Sequence, residues 1–237
     1  MNRPRFDLIT FDLDDTLWPC LPVIMAAEQR LFEWLQQQIP GIENDHTIDS
    51  LREERRRLMA ARPEIAHDLT LVRRLALEQL FERYGVDPAK VDEGIMLFLE
   101  HRNRVQLYED VHPVLGTLRE TYTLISITNG NADVERIGVQ ALFHNSLTAA
   151  EVGAARPKPA LFEQALELAD AEPIRALHVG DDPVRDVEAA RRLGMATVWM
   201  DRNDTPWPEE LAPADHRVTD LFELRTWLSD QERVNTV

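Results

Sequence analysis

Apolar and polar positions alternate with three different periods along this chain. Residues 6–11, FDLITF, are almost continuously apolar or β-branched, which predicts a strand buried on both faces, as in a parallel sheet. Some ninety residues of helical pattern follow, with almost no strand signal. Ile24, Ala27, Leu31, Leu35 and Ile39 recur at spacings of three and four, so they share one face of a helix that ends near Pro40-Gly41. Further helices are expected over 48–61 and over 70–84, the latter stopped by Gly85. A fourth begins at Asp87-Pro88, a cap followed by proline. Four amphipathic helices make a small bundle.

From Val111 the rhythm changes again. The pattern predicts a helix over 112–121, a strand at 123–128, a helix from about 133 and a short strand near 146–149. It continues with a helix at 159–168, a strand at 176–179, a helix at 184–193, a strand at 196–199 and a last helix near 220–228. Strands alternating with helices of about ten residues imply right-handed crossovers and an α/β, doubly wound parallel sheet, Rossmann-like in kind. The predicted core domain is therefore residues 1–18 with 108–237. The four-helix bundle, residues 19–107, is inserted as a cap or lid. Ligands of such sheets bind beyond the C-terminal ends of the strands.

Chemistry enters at those ends. Asp12, Asp14 and Asp15 crowd the end of the first strand, where mutual repulsion raises their pKa values and costs stability unless a cation or a reaction uses the charge. Carboxylates at positions i and i+2 leave an extended segment on one side, so Asp12 and Asp14 converge. That point suits Mg2+, a hard cation that takes oxygen ligands and shares them with a phosphate. One carboxylate can attack phosphorus while the other exchanges protons with the leaving oxygen and with water. Thr128 closes its strand, and the Asn129-Gly130-Asn131 turn frees backbone N–H groups at a helix start, which cradles anions. Lys158, between Pro157 and Pro159, offers a fixed cation for the phosphate and the nucleophile. Gly180-Asp181-Asp182, with Asp186 one helical turn on, places acids at another strand end.

Composition narrows the partners. With 26 basic and 42 acidic side chains the net charge is −16, so bulk electrostatics will not draw this chain to nucleic acid or to an anionic membrane. An anionic substrate must meet a local positive site or a metal. The single Cys20 excludes an internal disulfide, and neither a membrane-spanning run nor a leader-like apolar stretch is found, so a cytoplasmic protein is expected. Hydrophobic content of 44% is ample for a packed core. Oligomeric state stays open.

Acid pair, hydroxyl, lysine and acid pair, in this order, resemble the four signatures of the haloacid dehalogenase-like hydrolases, and the helical insertion resembles that superfamily's first cap class (C1). Most members are phosphatases. The resemblance implies that Asp12 is the nucleophile and Asp14 the acid/base. It implies that Asp12, Leu13, Asp14, Thr128, Asn129 and Lys158 hold the phosphate, and that Asp12, the main-chain carbonyl of Asp14 and Asp181 bind magnesium, with Asp182 and Asp186 as outer-shell candidates. Trp18-Pro19 stands where related enzymes have a mobile flap. TFDLDDTL at 10–17, PVI at 22–24, PEI with HD at 63–68, ITNGNA at 127–132 and HVGDD at 178–182 resemble the bacterial flavin-pathway phosphatases more narrowly. That resemblance implies hydrolysis of flavin mononucleotide (FMN) and of the phosphorylated ribitylamino-uracil of riboflavin biosynthesis. His67, Asp68 and Arg73 would then contact the ribityl hydroxyls, and Trp18 would face the ring.

Other readings compete. A halide-releasing relative has no need of a proton donor two residues after the nucleophile, so Asp14 argues against it. Phosphoglycolate or sugar-phosphate phosphatases, nucleotidases and phosphomutases share the core chemistry. A phosphoacceptor signalling domain combines an acid pair, a hydroxyl and a lysine on a similar sheet, but is about half this length and lacks the bundle. The seven histidines form no paired ligand spacing, and one cysteine cannot make a thiolate metal site.

Overall fold

The computed structural model describes residues 5–234, which divide into two compact units. The first holds residues up to 19, Gln106–Asn129 and 134 onward; the second holds Cys20–Val105 and Gly130–Asp133.

In the first unit, β1 (Leu8–Phe11) is buried at every position and lies between β2 (Thr123–Thr128) and β4 (Ala176–Gly180), both parallel to it. β3 (Asn145–Thr148), β5 (Ala196–Met200) and β6 (His216–Val218) complete a six-stranded sheet of order β3-β2-β1-β4-β5-β6. All pairings are parallel, so every strand is exhausted at the same edge of the sheet. The register sets Phe11 beside Ser126 and Val179, which brings the residues after β1, β2 and β4 to that edge together. Chain order reverses at β1, where β2 lies to one side and β4 to the other. A doubly wound sheet opens its crevice at such a point.

The helices of this unit are α6 (Val111–Leu118), α7 (Val134–Ile137), α8 (Ala149–Val152), α9 (Ala160–Ala169), α10 (Ala189–Arg192) and α11 (Leu221–Val234). α9 packs Leu161, Phe162 and Ala165 against Leu8, Ile125 and Ile127, so apolar burial holds β1 and β2 in place beneath the acidic edge. Two expectations need correction. The helix predicted from residue 133 is only the turn Val134–Ile137, followed by a second short turn at Gln140–Leu142. β6 has no counterpart in the predicted elements: three residues, His-Arg-Val, are too few to show a period.

The second unit contains α1 (Cys20–Gln38), α2 (Ile42–Asp45), α3 (Ile48–Ala61), α4 (Leu69–Tyr84) and α5 (Lys90–Arg102). Its core joins Ala27, Leu31 and Leu35 of α1 to Leu77, Leu80 and Phe81 of α4 and to Ile95 and Phe98 of α5. α4 starts at Asp68, whose carboxylate accepts from Leu71 N at 2.8 Å, and stops at Gly85, whose φ of 67° is the left-handed conformation glycine adopts at little cost. α3 differs from the rest because it buries none of its residues. Among the described residues, no helix is long and apolar enough to cross a membrane.

Candidate active site

The segment after β1 turns back on itself within six residues. Asp12 N still bonds to Val179 O, as a continuing strand would. Leu17 N then reaches Leu13 O, Asp15 takes a left-handed φ of 58°, and Asp15 N closes on Trp18 O. This loop is tight enough for the indole Nε1 of Trp18 to donate to Asp14 Oδ1 at 2.8 Å. Trp18 is fully buried, so it presents no face to a ring; the expected stacking role does not survive, because the indole packs under its own turn.

β4 supplies the second set of acids. Oxygens of Asp12, Asp181 and Asp186 lie within 4.8 Å of one another. Gly180 makes this possible: a Cβ there would sit 2.4 Å from Asp186 Cγ, so only glycine leaves room for that carboxylate. Asp186 also accepts from the backbone N–H of Asp182 at 2.8 Å. Asp182 faces elsewhere, its carboxylate accepting from Val184 N and Arg185 N as the cap of the helical turn Pro183–Glu188. Of the two outer acids predicted, Asp186 joins the cluster and Asp182 does not.

The cation of the site is the main departure from expectation. Lys158 is exposed, whereas Arg156, two residues earlier, is buried and donates to both Asp12 and Asp186. Asn129 fixes it: Asn129 Nδ2 donates to Arg156 O at 2.9 Å, and Arg156 N donates to Asn129 Oδ1 at 2.7 Å. Arg-Pro-Lys-Pro offered two cations, and its composition could not say which one the fold turns inward. Beneath the carboxylates, His178 Nε2 lies 3.2 Å from Asp186 Oδ1 while its Nδ1 meets Thr10 Oγ1 at 2.8 Å. Sequence reading missed this layer, although a histidine inside an apolar strand was the available signal. Thr128 is buried at the end of β2, and Thr16 Oγ1 lies 3.5 Å from Asp181 Oδ1.

The charges are not balanced by protein alone. Burial pushes the Asp12 carboxyl up to about 7 against the pull of Arg156, and Asp186 and Asp14 push the same way. Asp181 is raised further, to about 9, by burial and by the charges of Asp12 and Asp186. Asp186 is held low despite its burial, because Arg156 and His178 favour its ionised form. Oxygen donors packed this closely, two of them reluctant to ionise, fit a hard divalent cation, whose charge would let Asp12 and Asp181 ionise together.

The other predicted substrate contacts lie in the helical unit. Arg73 is buried and donates to Glu28 Oε1 at 2.8 Å, so its guanidinium is engaged within the bundle rather than offered to hydroxyls. Asp68 caps α4, and His67 is half-buried beside it.

The haloacid dehalogenase-like hydrolase family model matches residues 6–194. The chain belongs to that family. It is 32% identical over 200 residues to the 5-amino-6-(5-phospho-D-ribitylamino)uracil phosphatase YigB of Escherichia coli K12, with 83% of this chain and 84% of YigB covered. It is 35% identical over 158 residues to the phosphoserine phosphatase of Thermus thermophilus, covering 64% of this chain and 63% of that enzyme. Among solved structures, one described as a 2-haloacid dehalogenase from Pseudomonas syringae pv. Tomato DC3000 superimposes with a TM-score of 0.88 at 36% identity, over 95% of this chain and 99% of that one.

Proposed function

We propose that this chain is a magnesium-dependent phosphatase working through an aspartyl-phosphate on Asp12, with FMN or the phosphorylated ribitylamino-uracil as its substrate. Hydrolysis of a phosphoric monoester is the common activity of the two curated relatives, and the chain is an enzyme of that type. The observation that carries the finer reading is the meeting of Asp12, Asp181, Asp186 and Arg156 at the ends of β1 and β4, with Asp14 held two residues from the nucleophile.

In this reading an Asp12 oxygen attacks phosphorus and the bond to the leaving oxygen breaks as Asp14 gives that oxygen a proton. Asp14, now ionised, takes a proton from water, whose oxygen attacks phosphorus and frees Asp12 and inorganic phosphate. Arg156 holds Asp12 in place and offsets phosphate charge, Asn129 keeps Arg156 positioned, and Thr128 with the Leu13 and Asp14 backbone holds the phosphoryl oxygens. Asp12, the Asp14 carbonyl and Asp181 would bind the metal, with Asp186 supporting it. Magnesium, when bound, supplies positive charge that offsets the phosphate dianion and the developing charge on its oxygens.

The substrate assignment is supported by the likeness to YigB over most of both chains. A cavity of about 410 Å³ beside Asp15 and Asp181 adds to it, because Pro206 and Pro208 give one side of it an apolar wall for a heterocycle. Helical residues 19–107 are assigned the choice of leaving group, in a cytoplasmic setting. The structural likeness to a haloacid dehalogenase favours a second reading, carbon–halogen cleavage by Asp12, in which Asp14 has no task. A magnesium-supplemented panel of FMN, phosphoserine, phosphoglycolate, nucleotides and 2-chloropropionate separates the readings. FMN should lead in kcat/KM. Halide release without phosphate release would replace this reading, and a panel led by phosphoglycolate would reject the flavin substrate.

A further inference from the structure

Under the acidic cluster of the first unit lies a buried histidine to which the reaction gives no task. His178 of β4 is 1% exposed. Thr10 of β1 is its in-register neighbour, and its ring meets that of Phe162 from α9 edge to face at 4.9 Å. Nδ1 lies 2.8 Å from Thr10 Oγ1, and Nε2 lies 3.2 Å from Asp186 Oδ1. Nε2 has no well-aligned hydrogen-bond partner among the described residues, which leaves that carboxylate oxygen as the acceptor within its reach.

Two neutral tautomers compete, and the surroundings decide between them. Burial lowers the pKa of His178 against the pull of Asp186, so the ring carries a single N–H. With that hydrogen on Nδ1, the ring would donate to Thr10 Oγ1 and the hydroxyl would turn to Leu177 O at 3.3 Å. The Nε2 lone pair would then face an oxygen of Asp186, acceptor against acceptor in a buried space, which is costly. With the hydrogen on Nε2, Thr10 donates to Nδ1 over the shorter distance and the ring offers its N–H to the carboxylate.

Asp186 is the residue that gains. It reaches the cluster through a widened turn, Pro183–Glu188, in which Asp182 O accepts from both Asp186 N and Val187 N. It stands against Gly180 and beside Asp12 and Asp181, whose ionised forms would repel it. Arg156 donates to its Oδ1, and the Asp182 N–H donates to its Oδ2 at 2.8 Å. His178 adds a third donor on Oδ1. Because that donor is neutral, it steadies the carboxylate without cancelling the negative charge that a cation would meet, as a second arginine would.

We propose that His178, with its hydrogen on Nε2, is a positioning residue: it holds Asp186 in the acidic cluster and so sets how tightly that cluster takes a divalent cation. The tautomer stands on the geometry alone, whereas the effect on the cation rests on the magnesium reading above. Partners of this kind orient the groups around a metal, and their loss is felt in affinity.

Two measurements on the full-length protein test this. Long-range proton–nitrogen correlation spectra of the metal-free protein, labelled in its histidine rings, show which nitrogen carries the hydrogen, with His178 assigned through its contact with Phe162. Hydrogen on Nε2 is expected; hydrogen on Nδ1 overturns the proposal. Calorimetric titration with magnesium then compares two amides of different reach. His178→Asn keeps a polar partner for Thr10 and withdraws the donor from Asp186, so magnesium affinity should fall about tenfold or more, as for loss of an outer partner of a metal site. His178→Gln can return an N–H towards Asp186 and should recover to within about threefold of wild type. A merely structural histidine predicts a lower Tm for both metal-free variants with magnesium affinity unchanged. Equal affinity in wild type and His178→Asn, or an equal loss in both amides, overturns the proposal. Should neither amide fold, the tautomer in the wild type decides, because hydrogen on Nδ1 leaves no donor for Asp186. Absence of magnesium binding by the wild type rejects the metal reading itself, a result distinct from any difference between the variants.

Discussion

Trp18 Nε1 donates to Asp14 Oδ1 at 2.8 Å across a turn in which the two residues also pair through their backbones. The indole therefore fixes the orientation of one carboxylate oxygen of Asp14, the group proposed as acid/base. Trp18→Phe keeps the apolar volume and removes the donor. Turnover of alkyl phosphates, which need a proton on the leaving oxygen, should fall about tenfold, and nitrophenyl phosphate, a good leaving group, should fall less. Asp14→Asn should show the same leaving-group pattern with a loss of roughly 10²–10⁴-fold on alkyl phosphates. Equal losses on both substrate types would remove Asp14 from proton transfer.

Arg156, rather than Lys158, should carry the positive charge of the site. Lys158→Ala is expected to stay within about twofold of wild type, as for an exposed side chain. Arg156→Gln should cost at least about 10²-fold in kcat, on the scale of a lost electrostatic contact to the reacting group. It also leaves Asp12 and Asp186 buried beside each other without their cation, at about 3–5 kcal/mol of stability. Arg156→Lys separates the two effects, since it keeps the charge but loses the bridge between two carboxylates. Chemical denaturation alongside kinetics on the folded fraction measures both.

The metal-free protein should lose stability as pH rises. The folded-state values of Asp12 and Asp181 lie near 7 and 9, above the ordinary carboxylate value of 3.8. The folded state therefore binds more protons than the unfolded state between these limits, and its stability is full below the unfolded value and declines through pH 7 and 9. A divalent cation bound as proposed would replace those protons. The rise in Tm on adding magnesium should accordingly grow from pH 5 to pH 8, and chelation should stop turnover rather than slow it. A magnesium-induced shift independent of pH would show that Asp12 and Asp181 do not bind the ion.

Gly180→Ala tests the close approach of Asp186. The added methyl must displace the carboxylate 2.4 Å away, taking Asp186 from Arg156 and from the Asp182 N–H. Magnesium affinity and kcat should fall together, by tenfold or more, as for loss of an outer partner of a metal site. The fold should survive, because the change touches a side chain rather than the sheet's backbone pairing. Unchanged magnesium affinity would mean that Asp186 only anchors the arginine.

Local chemistry determined much of this protein before any contact was known. Apolar continuity at 6–11, period-four faces at 24–39 and the return of strand–helix alternation after Val111 depend on nearest neighbours along the chain. They correctly placed β1, the four longer helices of the second unit and the parallel sheet, though not the single turn α2. The acids at 12, 14 and 181 were legible for the same reason: carboxylates directly after buried strands must lie at the sheet's C-terminal edge. Tertiary structure alone decided which of several like groups turns inward. Arg156 and Lys158, Asp182 and Asp186, and the face of Trp18 each posed a choice between chemically similar neighbours. Those choices were made by contacts that only the folded backbone brings about: Asn129 clamping the Arg156 backbone, the space above Gly180, and the turn that closes Trp18 onto Asp14. Arg73 passed from an expected substrate contact to a bundle residue because Glu28, forty-five positions away, took its guanidinium. Burial of a charge is decided by whichever group can compensate it, and that group is found only when the chain is folded.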